Sequence, residues 1–472
     1  MNADEALLRA AREAITYRHL VEAGGDDVVA SYEQELEAFD SPLPEEPTAA
    51  LHVIDELVAK ATPGLRAMTS STFFGWVIGG SHAAGVGADW LTSAWGQNAA
   101  NFAAAPAAAA AEQVAANWLL ELLDLPRSSS VGFVTGATMA NFVALAAARG
   151  EQLRKAGWDA EKDGLFGAPP IEVLIGRDAH ATVYSALRYL GLGSRRVRLI
   201  DTDDAGRMRP SSLEAAIACT EGPAIVIAQA GQINTGACDP FEEICGLARS
   251  RDAWVHVDGA FGLWAQASER LRHLTRGVEQ ADSWATDGHK WLQTPYDSGF
   301  AIVSDKAAHE RSMAIEASYL PGASSGEREP SAYVPELSRR ARGFASWAMI
   351  RTLGRKGISE MVERHCSVAC ALGDALAAEP GIEVVAPVEL NQLIVRFGDS
   401  DEATLATVDA LQERGRIFVG PARWRDRWVM RLSVTNFNTG TDEVAAVHEE
   451  IVAAWREVEA RHRPGAIAAN AS

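Results

Sequence analysis

The feature that most constrains the fold is an alternation of short apolar segments, turns and helical stretches from about residue 130 onward. Runs rich in β-branched residues predict strands at 131–134, 171–175, 197–200, 224–228 and 254–257. Most are followed by turn residues and then by helical periodicity, as at 139–149. Nearly continuous apolar strands that alternate with helices indicate a mostly parallel sheet covered on both faces. The sequence therefore predicts an α/β fold.

The length of the chain indicates more than one domain. It has 472 residues, whereas single hydrophobic cores stop growing at about 250–300 residues. We expect an N-terminal helical segment at 1–75, a large domain at 76–345, a smaller C-terminal α+β domain at 346–461 and a tail at 462–472. The polar, Gly/Pro-rich stretch at 325–335 is either a disordered surface loop or an active-site lid.

Charge and cysteine content restrict the partners and the compartment. The net charge of −20 argues against nucleic acid or an anionic membrane as a partner. No signal-peptide pattern and no run of about 18 apolar residues is visible. The cysteines form no CxxC pair, and the sequence predicts no metal site. We therefore expect a cytoplasmic protein with reduced thiols that acts on a small molecule.

Two features near predicted strand ends suit a phosphorylated ring. Gly136, Ala137 and Thr138 lie between a strand and a helix, where free amide groups and a hydroxyl form a cradle for an anion. The same turn could also be a simple helix cap. His180 follows the strand at 171–175, and open α/β sheets bind ligands at the carboxyl ends of their strands. It could stack on a pyridine ring or be a hydrogen-bonded structural histidine.

Asp258 and Lys290 make the prediction more specific. Asp258 ends the strand at 254–257, where a carboxylate can pair with a pyridinium nitrogen or merely cap a turn. Ala260, just after it, allows the chain to pass close to a flat ring. Lys290 in Asp287-Gly288-His289-Lys290-Trp291 has small and aromatic neighbours, which favour a partly desolvated amine. His289 could donate a proton or stack. We therefore expect Lys290 to hold pyridoxal 5'-phosphate (PLP) as a Schiff base.

With these motifs the sequence resembles the group II PLP-dependent decarboxylases, which include aromatic L-amino-acid, histidine, glutamate and cysteine sulfinate decarboxylases. The His289-Lys290-Trp291 motif is the most specific part of the match. The resemblance covers most of the chain, and further matching segments are Phe73-Phe74-Gly75-Trp76, Pro106 with Glu112, Trp118-Leu119-Leu120, Leu337-Ser338-Arg339-Arg340-Ala341-Arg342 and Arg431-Leu432-Ser433-Val434-Thr435-Asn436.

The resemblance implies a fold, an assembly and residue roles. The fold would be the PLP-dependent transferase fold type I (aspartate aminotransferase-like), with a mostly parallel seven-stranded sheet. A homodimer would place each active site near the subunit interface, with the lid of one subunit closing the site of the other. Lys290 would form the internal aldimine, Asp258 would pair with the pyridine nitrogen and His180 would stack on the ring. The turn at 136–138 would hold the phosphate with help from Asp287 or His289.

The reaction implied is decarboxylation of an L-amino acid, aromatic as the first expectation, to the amine through a Lys290 aldimine and a quinonoid intermediate. Tyr333 is the tyrosine of the lid-like stretch and could protonate Cα. It lies a few residues later than the family's tyrosine, so a packing role is an equal alternative. Aldehyde-forming oxidative decarboxylation, retro-aldol cleavage, transamination and a non-catalytic PLP-binding protein stay open.

Two departures from the family leave the substrate side chain open. Gly231-Gln232-Ile233 stands where many members have Gly-Thr-Thr. The segment Trp76-Val77-Ile78-Gly79-Gly80 has fewer aromatic residues and more glycine than in the aromatic decarboxylases. Both changes fall where the resemblance places the cofactor ring or the substrate, so they predict a pocket of different shape.

Overall fold

The computed structural model describes residues 3–24, 29–315 and 328–462. Its helices are Ala3–Glu22 (α1), Tyr32–Phe39 (α2), Ala50–Ala61 (α3), Ala83–Trp95 (α4), Pro106–Leu122 (α5), Ala137–Lys155 (α6), Ala160–Asp163 (α7), Ala181–Tyr189 (α8), Pro210–Ala218 (α9), Phe241–Arg249 (α10), Lys306–Met313 (α11), Gly343–Ala377 (α12), Asp401–Arg414 (α13) and Glu443–His462 (α14). Its strands are Ser130–Val134 (β1), Glu172–Gly176 (β2), Arg198–Ile200 (β3), Ala224–Gln229 (β4), Trp254–Asp258 (β5), Ser283–Asp287 (β6), Gly299–Val303 (β7), Ile382–Val384 (β8), Gln392–Phe397 (β9), Gly420–Trp424 (β10) and Arg427–Ser433 (β11).

Seven strands form the large sheet, in the order β1-β7-β6-β5-β4-β2-β3. Only β7 runs antiparallel to its neighbours, so the predicted mostly parallel seven-stranded sheet is confirmed. The five predicted strands correspond to β1–β5, each within one residue at either end. The sequence pattern did not predict β6 and β7 as individual strands.

Helices cover both faces of this sheet and bury a core on each side. On the face covered by α6, the core includes Ala144, Ile175, Ile227 and Trp254. On the opposite face, the core is built from residues such as Leu119, Phe133, Val226, Trp264 and Trp291. Burial on both faces is what continuous apolar strands require, because neither face can then be left to water.

A second, antiparallel sheet of four strands follows, in the order β10-β11-β9-β8. Together with α13 and α14 it encloses its own core, which includes Leu393, Phe397, Met430 and Ile451. The predicted α+β character of the C-terminal unit is confirmed.

The proposed domain limits fall in segments that contact both the large unit and the small unit. The long helix α12 contacts α4 and α5 of the large unit and also β8 and α14 of the small one. It is interrupted at Gly354, whose φ of 59° is left-handed. Near the other limit, Phe74 packs in the small core and Val77 in the large core. The limits at 75/76 and 345/346 therefore stay a prediction.

Several expectations concern features outside the helices and sheets. Within the described residues no helix is both long and apolar enough to cross a membrane, and no group of three or more His, Cys, Asp or Glu residues could hold a metal ion. All five cysteines are free. Most of the predicted tail (463–472), Tyr319 and the first part of the lid-like stretch lie outside the described residues.

Candidate active site

The predicted site residues meet at the carboxyl edge of the large sheet. Asp258 ends β5 and Asp287 ends β6, while His180 caps α8 after β2. The carboxyl ends of neighbouring parallel strands lie at one edge, where ligands bind in open α/β sheets. The charges of His180 and Lys290 both act on the Asp258 carboxyl, so the structure brings these three residues together.

Lys290 lies in the turn after β6, and its amine is sheltered from water. The Nζ atom lies 2.9 Å from Asp287 Oδ2, and 14% of the side chain is exposed. The amine also lies 5.8 Å from the centre of the Phe261 ring. A lysine held against a carboxylate and an aromatic face is confined to a small region of the cleft, as a covalent cofactor link requires.

Asp258 is buried and has capacity for another hydrogen bond. Its Oδ1 accepts from the Ala260 amide at 3.3 Å, and its Oδ2 accepts from Asn141 Nδ2 at 3.4 Å. Burial raises the pKa of Asp258, while the charges of His180 and Lys290 counteract that rise. Both hydrogen bonds are long, so a protonated ring nitrogen fits as a stronger partner.

His180 has a fixed orientation at the start of α8. Its Nδ1 accepts from the Thr182 amide at 3.4 Å and lies 2.8 Å from Thr182 Oγ1. In the neutral ring the proton is therefore on Nε2. Part of the residue is exposed, yet burial of the rest lowers the pKa of His180, and the charge of Arg431 lowers it further.

The turn at 136–138 forms the other wall of the site, at the amino terminus of α6. A Cβ at Gly136 would lie 3.1 Å from His289 Cε1 and 3.2 Å from Asp287 Oδ1. The Ala137 amide donates to Asp287 Oδ1 at 2.6 Å, and Thr138 is exposed beside it. His289 Nδ1 is buried without a partner among the described residues. A helix amino terminus beside an unsatisfied imidazole nitrogen fits a phosphate ester.

His289 and Asp287 connect the turn that contains Lys290 to the turn at 136–138. The His289 Nε2 lies 3.5 Å from Asp287 Oδ1, and its ring stacks on Tyr296 with 4.3 Å between centroids. Burial lowers the pKa of His289, whereas the Asp287 charge raises it. Asp287 thus contacts Lys290, His289 and the Ala137 amide at once.

Tyr333 lies elsewhere, which argues against its predicted role as the proton donor. Its hydroxyl donates to Glu310 Oε1 at 2.7 Å, and its ring packs against His309 and under Arg328. The residue is 2% exposed. Any movement of this buried phenol would break its hydrogen bond to Glu310. These contacts favour the packing alternative, and the choice between packing and proton donation by Tyr333 stays a prediction.

Gln232, at the departure from the family's Gly-Thr-Thr, faces its own turn. Its Oε1 accepts from the amides of Asn234 at 2.6 Å and Thr235 at 3.1 Å. Its Nε2 donates to the Asp178 carbonyl at 3.3 Å. Gln232 therefore braces the turn beside the His180 segment instead of offering a hydroxyl to the cofactor.

Two residues near the site were not predicted. Asn141 of α6 contacts Asp258, and Arg431 of β11 acts on His180 through its charge. The sequence places them far from Asp258 along the chain, and only the packing of α6 and the small unit on the sheet brings them near. Two signals were available: Asn141 lies in the helix that follows the predicted phosphate turn, and Arg431 begins a segment that matches the family.

A lysine in the turn after β6, a buried aspartate at the end of β5 and a helix amino terminus beside them are the features expected of a PLP-dependent enzyme of fold type I. The chain belongs to the pyridoxal-dependent decarboxylase family, whose conserved domain matches residues 33–397. It is a PLP-dependent amino-acid decarboxylase, and the family prediction is confirmed.

Relatives and solved structures agree with this assignment. The chain is 29% identical over 401 residues to an aromatic-L-amino-acid decarboxylase of Bacillus atrophaeus, covering 82% of this chain and 81% of the relative. It is 28% identical over 410 residues to tryptophan decarboxylase 1 of Oryza sativa subsp. japonica, covering 80% and 79%. The crystal structure of Oryza sativa TDC with PLP and tryptamine matches with a TM-score of 0.88 at 26% identity, over 97% of this chain and 99% of that chain.

Proposed function

We propose that this enzyme decarboxylates an aromatic L-amino acid to the corresponding amine, as a cytoplasmic homodimer. The observation that carries the substrate class is an aromatic cluster at the start of the segment whose glycines contact the lysine turn. Named relatives that act on aromatic amino acids support the same class.

The segment 76–82 lies directly against the lysine turn. The Gly79 amide donates to the His289 carbonyl at 3.0 Å, and the Gly80 amide donates to Gln293 Oε1 at 2.6 Å. A Cβ at Gly79 would lie 2.3 Å from the Lys290 carbonyl oxygen. Such close approach leaves no room for a Cβ, and it holds the segment that begins with Trp76 against the lysine turn.

Aromatic side chains cluster at that segment. Trp76 lies 5.9 Å from Phe73 and 5.1 Å from Phe418, centroid to centroid, while Phe73 and Phe418 stack at 4.7 Å. Trp76 is 54% exposed, although its left-handed φ of 52° is unusual for a large residue. An exposed indole held by two rings offers a substrate aromatic group a surface on which to pack.

Arg431 supports recognition of an α-carboxylate. It is half-buried, and burial lowers the pKa of its guanidinium to about 10. Among the residues that the structure describes, no hydrogen bond or ion pair engages that guanidinium. A desolvated cation without a partner favours an anion, and the α-carboxylate is the anionic group common to amino acids.

The site residues then have distinct tasks. Bound PLP supplies the electron sink for cleavage of a bond to Cα. Lys290 holds the cofactor, and Asp287 fixes the amine of Lys290. Asp258 keeps a proton on the ring nitrogen, an electrostatic role that burial strengthens. His180 lies beside Asp258 with its neutral ring oriented by Thr182. The turn at 136–138, with His289, holds the phosphate.

The homodimer and the compartment are supported by surface properties. Most exposed large apolar side chains lie in the first 95 residues, including Leu7, Ile15 and Leu57 on α1 and α3. An apolar surface of this kind is typical of a subunit interface. Free, mostly buried cysteines suit a reducing compartment.

A substrate panel tests the proposal. The purified holoenzyme is given L-Trp, L-Tyr, L-Phe, L-His and L-Glu while CO2, amine and aldehyde are measured, with K290A as the inactive control. We expect the highest kcat/KM on one of the three aromatic amino acids, with equal amounts of CO2 and amine. Preference for L-Glu or L-His would contradict the substrate class. Aldehyde with ammonia in place of amine would instead support the oxidative alternative.

A further inference from the structure

We propose that Asn141, held by His256, is a positioning residue that keeps an N–H donor on the Asp258 carboxylate. The two residues belong to a buried relay, defined here as Trp254, Ser283, His256 and Asn141, which ends on Asp258. The inference rests on the proposed pairing of Asp258 with the ring nitrogen of PLP.

The strand pattern places the relay on one face of the sheet. Trp254, His256 and Asp258 alternate along β5, so their side chains point to the same face. Ser283 of β6 lies directly opposite His256, and α6 covers this face with Asn141. His256, Ser283 and Asn141 are each 0% exposed, so water cannot replace any missing link.

The two ends of the relay together fix the direction of its hydrogen bonds, because Trp254 Nε1 can only donate and the Asp258 carboxylate can only accept. Trp254 Nε1 can only donate, and it donates to Ser283 Oγ at 2.8 Å. Ser283 is therefore free to donate to His256 Nδ1 at 2.9 Å. The single proton of the neutral ring is then on Nε2, which donates to Asn141 Oδ1 at 2.8 Å.

Asn141 is left with only one orientation. With Oδ1 facing His256, its Nδ2 donates to Asp258 Oδ2 at 3.4 Å. The flipped amide would set an oxygen against the carboxylate and a donor against the His256 N–H, losing two hydrogen bonds in a dry interior. Burial lowers the pKa of His256 to about 3, so this ring stays neutral and adds no competing charge.

The donor acts against the effect of burial on Asp258. Desolvation favours the neutral carboxylic acid, and the Asn141 hydrogen bond favours the carboxylate. Only the carboxylate can hold the proton on the ring nitrogen. The relay would also fasten α6 to the sheet, which is a purely structural role, and the test must separate the two.

The first comparison uses N141L with Q152L as the matched control. Gln152 is a buried amide on the same helix, and its Nε2 donates to the Asp252 carbonyl at 3.0 Å, away from Asp258. Both substitutions remove a buried amide from α6, so both lower the melting temperature of the apoprotein. A structural role alone predicts no further difference between them.

The readouts are the PLP dissociation constant of the apoprotein and the ¹⁵N NMR signal of ring-labelled PLP in the holoenzyme. We expect N141L to bind PLP about ten-fold more weakly, the effect of losing one hydrogen bond to a charged group. Its ring-nitrogen signal should shift toward unprotonated pyridine, while Q152L keeps the wild-type signal and affinity. An unchanged signal and affinity in N141L would overturn the proposal.

A second pair keeps the proposal testable if N141L does not fold. In H256Q the glutamine amide can still donate to Asn141 Oδ1, whereas in H256L nothing can. We expect H256Q to retain the protonated-ring signal and H256L to lose it. Equal signals in the two variants would overturn the relay. Failure of the proposed function is distinguishable, because a wrong substrate class would change the products of the substrate panel and leave the PLP affinity and the ring-nitrogen signal of the wild type as they are. A wild-type signal of unprotonated pyridine would instead contradict the pairing of Asp258 with the ring nitrogen.

Discussion

At the scale of single residues, the cleft pairs each buried charge with a specific partner. Asp287 engages Lys290 and the Ala137 amide, and Asp258 is engaged by Asn141 and the Ala260 amide. Arg431 is the exception, since nothing in the described part of the chain pairs with it. The unpaired guanidinium of Arg431 is therefore the group that we expect to bind the carboxylate of the substrate.

For R431Q we expect KM for the amino acid to rise about 10- to 100-fold, because one charge-assisted hydrogen bond contributes roughly 1.5–3 kcal/mol. The amine product lacks the carboxylate, so its inhibition constant should not change. Steady-state kinetics with product inhibition measures both values. An equal loss of affinity for substrate and product would show that Arg431 only supports the fold.

His309 predicts how stability depends on pH. It is buried, its Nε2 donates to the Tyr333 carbonyl at 3.0 Å, and burial lowers its pKa to about 3 from the usual 6.5. Between these values the unfolded chain binds a proton that the folded protein does not, so stability is lost as pH falls below 6.5.

In H309Q, the free energy of unfolding should therefore fall less steeply between pH 6.5 and 5, by a difference that rises to about 1.4 kcal/mol per pH unit at the lower end. Urea unfolding at several pH values gives the two slopes. Parallel curves for the wild type and H309Q would contradict the assignment of a neutral buried ring.

The sequence alone was enough to predict the site residues that lie in short, recognisable motifs. Lys290 and Asp258 stand out because each lies in a short motif after an apolar strand. Asn141 and Arg431 could not be assigned, because their roles depend on how α6 and β11 pack on distant strands. Tyr333 was open for the same reason: its position in a polar stretch gave no sign that Glu310 and His309 would enclose it.

Among the secondary-structure elements, strands made of continuous apolar residues were predictable, whereas strands that also contain polar residues were not. The β-branched runs of β1–β5 are continuous, whereas β6 reads Ser-Trp-Ala-Thr-Asp and resembles a loop. Its polar residues are buried because they are used: Ser283 joins the relay and Asp287 contacts the lysine. The polar residues that interrupt the apolar pattern of β6 therefore lie in the part of the sheet that contacts Asp258 and Lys290.

The segment 76–82 gives a prediction at this scale. In G79A the new Cβ would lie 2.3 Å from the Lys290 carbonyl, so the segment or the lysine turn must shift. We expect a loss of about 1–3 kcal/mol in stability and weaker PLP binding.

G87A is the control for G79A, because nothing lies within 4 Å of its added Cβ and Gly87 is inside α4. It should be neutral or slightly stabilising, by at most about 1 kcal/mol. Thermal unfolding and PLP titration compare the two variants. Normal PLP affinity in G79A would contradict the close packing of the segment on the lysine turn.

At the scale of the whole molecule, the N-terminal helices leave apolar surface uncovered. Leu7 is 69% exposed and Ile15 is 48% exposed on α1. The large unit buries its own core on both faces of the sheet, so this surface is not needed for the fold of that unit. A second copy of the chain is the proposed cover.

We expect the wild type to have twice the 50.4 kDa chain mass in light scattering at micromolar concentration. A variant with both L7D and I15D should dissociate at a concentration at least about ten-fold higher, because buried charges destabilise apolar interfaces. F166D is the control, since Phe166 is 99% exposed and lies outside α1–α4. A monomeric wild type would contradict the homodimer.

Attachment of the cofactor to Lys290 can be tested chemically. Borohydride reduction of the holoenzyme fixes the cofactor to its lysine, and peptide mass mapping locates it. We expect one pyridoxyl group on the peptide that contains Lys290, the most sheltered lysine, and none in K290A. A pyridoxyl group on another lysine, or one at the same level in K290A, would contradict it.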